Sequence, residues 1–65
     1  MNPKQIAEQI VEQFDTNPAF VKAVDESPEP YRAMIYESGV VENAEEIDGT
    51  DEYSAIVDAL EDILT

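Results

Sequence analysis

The sequence predicts an all-α fold, a compact bundle of four to five short helices forming a single acidic domain over residues 1–65. Three observations carry that prediction. Hydrophobic residues make up 43% of the chain, which argues against the disorder its acidity would otherwise suggest. They recur at the three- and four-residue steps of a helix, most clearly over residues 50–65. Pro3, Pro18 and Pro28 each follow a capping residue, where proline suits the first position of a helix.

The first helix opens at Asn2-Pro3, with Asn2 as cap, Pro3 at the first helical position and Gln5 three residues past the cap. Ile6, Ala7, Ile10, Val11 and Phe14 form its apolar face, and Glu8, Glu12 and Asp15 line up on an outer stripe. The start signal repeats at Asn17-Pro18. Pro18 disfavours helical geometry at Asn17, so a sharp turn separates the first two helices. Ala19, Phe20, Val21, Ala23 and Val24 supply the second apolar face, with Lys22 outside.

Residues 25–30 read as a turn in which Ser27 caps and Pro28 begins a third helix over roughly 28–38. Pro30 is tolerated there, because first-turn N–H groups have no intrahelical partner. Tyr31, Met34 and Ile35 face inward, and Gly39 ends the helix in the left-handed conformation. Val40 and Val41 then enter the core. Residues 42–48 admit two readings: one short helical turn capped by Asn43 and ended by Gly49, or an irregular loop anchored by Ile47. The last helix starts at a Thr50 or Asp51 cap. Tyr53, Ile56, Val57, Leu60, Ile63 and Leu64 share one face, and Asp51, Glu52, Asp58, Glu61 and Asp62 fall mostly on the other. A chain this small can complete its core by dimerising through the 53–64 face, so monomer and homodimer are both open.

Charge narrows the function. Sixteen acids face three bases, for a net charge of −13. Residues 1–32 hold six acids and all three bases, whereas residues 33–65 hold ten acids and no base. Such a chain repels nucleic acid and anionic membrane and attracts basic surfaces. Neither a ~20-residue apolar span nor a signal-peptide pattern is present, so a soluble cytoplasmic protein is expected.

Catalysis is not expected. The chain has no cysteine and no histidine, and its serines, threonines, lysines and tyrosines have no adjacent base at a recognisable spacing. A helical bundle of 65 residues also has little room for a substrate pocket. A calcium loop fails in register: with Gly49 at the sixth position, Ala44 falls on the first ligand and Ala55 on the bidentate last one. No metal or cofactor is therefore expected. Phe14 and Phe20 belong to the core. Tyr36 falls off the Tyr31–Met34–Ile35 stripe and is the candidate for an exposed aromatic contact. Arg32 is expected to pair locally with Glu29 or Glu37.

The acids themselves are then the candidate site: Glu8, Glu12 and Asp15; Glu42, Glu45, Glu46 and Asp48; and Asp51, Glu52, Asp58, Glu61 and Asp62. Acids three or four apart on a helix are spaced ~4.5–6 Å along its axis. A DNA strand carries one phosphate per ~3.4 Å. The stripes can therefore present a phosphate-like lattice to a basic groove. In size, helical pattern, lack of cysteine and histidine, and acid density over VENAEEIDGTDEYSAIVDALEDILT, the chain resembles small phage-encoded anti-CRISPR and anti-defence proteins of the DNA-mimic type. It also resembles inhibitors of host DNA-binding enzymes in general. The resemblance implies a basic nucleic-acid-binding protein or CRISPR effector complex as partner, blocked without direct contact to nucleic acid. Two other readings stand beside it. One is a small adaptor or assembly protein using an apolar–tyrosine patch, its acidity serving solubility. The other is a protein of a salt-adapted cell.

Overall fold

A computed structural model describes residues 2–65, and among them five helices and no strand. The helices are α1 (Pro3–Thr16), α2 (Pro18–Glu26), α3 (Pro30–Glu37), α4 (Ala44–Ile47) and α5 (Asp51–Leu64). This is the all-α bundle expected from the periodicity, and residues 42–48 take the short-turn alternative.

Local chemistry sets the boundaries. The Asn2 side chain accepts from Gln5 N–H at 2.9 Å while the Gln5 side chain accepts from Asn2 N–H at 3.2 Å, a reciprocal capping box. Asn17 closes α1 and opens α2, its Oδ1 accepting from Phe20 N–H at 3.1 Å. Thr50, not Asp51, caps α5 by accepting from Tyr53 N–H. Gly39 and Gly49, at φ 75° and 85°, end α3 and α4 in the left-handed region that other residues enter at a cost.

The third helix begins two residues later than the sequence reading placed it. Pro30, not Pro28, is its first residue, and Ser27 does not cap it. The cause is Pro30 itself. A residue before proline is pushed out of the helical region, and Glu29 lies at φ −125°, ψ 81°. Ser27 instead closes a local turn, its hydroxyl accepting from Glu29 N–H at 3.1 Å. Asn43 stands at the start of α4, but its side chain makes no capping bond.

α1 packs most extensively along α5. Lys4, at the start of α1, lies beside Ala59, Asp62 and Ile63 near the end of α5, so the two run antiparallel. α2 packs on α1 and α3, and α4 bridges α3 and α5. One core cluster joins all five: Ile6, Ala7 and Ile10; Phe20 and Val24; Met34 and Ile35; Ala44 and Ile47; Ile56 and Leu60. Phe14 packs against its edge and meets Phe20 edge-on, ring centroids 5.0 Å apart. Val40 and Val41 are partly buried against the same cluster.

Two apolar faces are narrower than expected. Ala19 is exposed, because the turn of α2 that buries Phe20 and Val24 carries it outward. Ile63 and Leu64 are 40% and 41% exposed. Leu60 and Ile56 have already filled the core one and two turns earlier, and Ile63 lines an open depression with Lys4, Ala59 and Asp62. No helix among the described residues is long and apolar enough to cross a membrane.

Candidate functional site

Every Asp and Glu except Asp48 is exposed. On α1, Glu8, Glu12 and Asp15 lie opposite buried Ile6, Ala7 and Ile10. On α5, Asp51, Asp58, Glu61 and Asp62 lie opposite buried Ile56 and Leu60, with Glu52 to one side in the first turn. Glu42 precedes α4, and Glu45 and Glu46 stand on its outer surface. Apart from Ala19 and the Ile63–Leu64 end of α5, the helices turn their apolar stripes toward the core and these carboxylates outward, as their amphipathic pattern requires. Asp25, Glu26, Glu29 and Glu37, which the stripes did not include, are exposed as well.

Asp48 is different. Its carboxylate receives a hydrogen bond from the Tyr36 hydroxyl at 2.7 Å and an ion pair from Arg32, the one salt bridge among the described residues. The Arg32 guanidinium also sits 4.7 Å from the centre of the Tyr36 ring, a cation–π geometry. The Tyr36 hydroxyl and the Arg32 pair hold the Asp48 carboxyl below the usual aspartate range, against a burial effect that opposes them. The same contact with Asp48 pushes the Tyr36 phenol up and the Arg32 guanidinium up.

Three sequence expectations change here. Arg32 pairs neither with Glu29 nor with Glu37, because its reach across to the end of α4 meets a carboxylate with a second donor beside it. Tyr36 is half-buried, its ring under Arg32 and its hydroxyl committed to Asp48, so it is not a free aromatic contact. Asp48 joins α4 to α3 rather than standing in the open acidic surface. The remaining acids have no such partner, and Lys4 and Lys22 form no ion pair among the described residues.

Among the depressions that interrupt the surface are two of unlike lining. One, of about 310 Å³, lies between Tyr36 and the acids Glu42, Glu45 and Glu46. The larger, of about 520 Å³, lies in the angle of α1 and α2 between Phe14 and Val21. The sequence reading missed the latter, since it assigned Phe14 to the core and Val21 to the apolar face of the second helix. Among the described residues no group of three or more acids is close enough to hold a metal ion. What the surface can do is attract and order cations that are part of a larger object, such as the lysines and arginines of a protein groove. No protein-family model matches the chain, and no curated protein or solved structure matches it either.

Proposed function

We propose that this chain is a binding protein, not a catalyst, and that it inhibits a nucleic-acid-binding machine by occupying its basic surface in place of nucleic acid. The CRISPR effector complexes and other host DNA-binding proteins implied by the sequence resemblance are the partners of this class. One observation carries the reading: of sixteen acids only Asp48 has an ion-pair partner among the described residues. A fold that used its acids to hold itself together would pair them. Here they stand outside a core made almost entirely of apolar side chains, on helices rigid enough to fix their spacing. A basic groove releases its counterions to such a surface as it does to phosphates, which makes association fast and salt-sensitive.

The test is direct. A purified CRISPR effector complex is offered to the immobilised protein at ~0.1 M and ~0.5 M salt, a range over which phosphate-like contacts weaken by orders of magnitude. The expected result is retention at the lower salt, loss at the higher, and displacement by duplex DNA. Retention that ignores both salt and DNA would overturn the mimic reading. It would bring forward the adaptor reading, which has its own observation in exposed Ile63 and Leu64 at the end of α5. Loss of such binding in Ile63→Ser would then place the contact there.

A further inference from the structure

The larger depression joins two kinds of surface that are elsewhere separate. Its floor is apolar: Phe14 from α1, with Pro18 and Val21 from α2. Its rim is acidic: Asp15, Asp25 and Glu26, all exposed. The geometry follows from the α1–α2 corner. Asn17 bonds both ways there, its side-chain N–H donating to Gln13 Oε1 at 3.3 Å and its Oδ1 capping α2, so the two helices meet at a fixed angle. Phe14 and Phe20 meet edge-on on the inner side of that angle; Phe20 is buried, whereas Phe14 stays partly open to the depression.

We infer that this groove is a docking site for a basic protein segment that inserts one large apolar side chain, flanked by arginine or lysine. The proposal rests on the inhibitory reading above and specifies where the partner is anchored. Charge complementarity selects the occupant. Three carboxylates against the single base Lys22 leave the rim negative and without internal ion pairs. A second copy of this chain would bring another −13 charges to that rim, and like charges in apposition disfavour it. A nucleic acid or an acidic peptide is repelled for the same reason. The volume of about 520 Å³ accommodates an aromatic side chain and its neighbouring backbone. A buried apolar anchor within a polar rim is also the usual arrangement of a protein interface. The groove thus adds specificity to an otherwise diffuse attraction: the acids steer, and the apolar floor selects.

Synthetic peptides with a phenylalanine flanked on both sides by arginines test it, with amide chemical-shift mapping by NMR as readout. Two controls are used, one with serine for the phenylalanine and one with glutamine for the arginines. The expected result is that the phenylalanine–arginine peptide perturbs residues 14–26, and binds about tenfold or more tightly than the serine control, the scale of burying one aromatic side chain. Val21→Gln abolishes that preference, and Asp25→Asn weakens both arginine peptides alike. If both arginine peptides bind equally, with shifts spread along α1 and α5, the groove proposal is overturned while the acidic-surface reading survives. If neither binds at low salt, both readings fall. If the glutamine control binds as well as the arginine peptide, the groove takes apolar ligands generally and the basic occupant is wrong. The peptide comparison on the unmodified chain decides the matter even if Val21→Gln does not fold.

Discussion

At the scale of single residues, Asp48 is where the acidic chain departs from its own rule. Its partners lie sixteen and twelve positions away, Arg32 and Tyr36 on α3. Nothing in local spacing links them, whereas Glu29 and Glu37 stand near Arg32 on its own helix or next to it. That is why the pair was not legible in the sequence: side chains three and four apart can be matched by eye, but a contact made by the folding back of a short loop cannot. The pair makes a prediction with a definite sign. Hydrogen bonding from Tyr36 and pairing with Arg32 lower the folded-state titration of Asp48. A lowered carboxyl contributes stability above its unfolded value, about 3.9, and loses it as pH falls through the lower folded value. Asp48→Asn therefore lowers Tm at neutral pH, and the gap between variant and parent closes below about pH 4. Tyr36→Phe keeps the ring beneath Arg32 but removes the hydroxyl bond, so NMR titration finds the Asp48 carboxyl moved up toward its ordinary value. An unmoved titration would mean that the hydroxyl contact is not formed in solution.

At the scale of elements, the legible parts were those whose signals are local. The caps Asn2, Asn17 and Thr50 and the stop at Gly39 all stand where their chemistry placed them, because each satisfies backbone groups within a few residues. The misplaced start of α3 came from a conflict between two such signals. Ser27-Pro28 opens a helix on paper with Pro30 in its first turn, but Pro30 disfavours helical geometry at Glu29 and so defers the start to itself. The exposed end of α5 was illegible for another reason. Ile63 and Leu64 continue the apolar period faithfully, but periodicity gives the direction of a face and not the extent of what covers it. Of the caps, Asn17 is the most consequential, since it serves the end of one helix and the start of the next. Asn17→Ala leaves Phe20 N–H without its acceptor and Gln13 without its donor. The expected loss is about 1 kcal/mol, or roughly 4–8 °C in Tm for a domain of this size. Calorimetry on the variant measures it, and an unchanged Tm would refute the joint role given to this residue.

At the scale of the whole molecule, a net charge of −13 is held within extents of 28 × 21 × 20 Å. The radius of gyration, 10.7 Å, is what a compact chain of this length adopts, so the repulsion is not relieved by expansion. It must be opposed by burial of the core and screened by salt. At ~0.01 M salt the screening length is ~30 Å, longer than the molecule, and every unpaired carboxylate acts on every other. At ~0.15 M it is ~8 Å, and only neighbours along a stripe still interact. Far-UV circular dichroism melts should therefore give a Tm that climbs steeply between these concentrations and flattens toward ~1 M, where the length is ~3 Å. The helix content before melting stays constant throughout, because the core and caps do not depend on salt. A chain of a salt-adapted cell behaves otherwise, unfolding at low salt and gaining helicity up to molar KCl. A Tm that is flat or falls with salt would mean that the acids do not repel one another in the folded state. The same plateau bears on binding. Above it the fold is at its most stable while attraction to a basic groove is at its weakest, so binding lost at ~0.5 M salt reports the surface and not the unfolding of the chain that carries it.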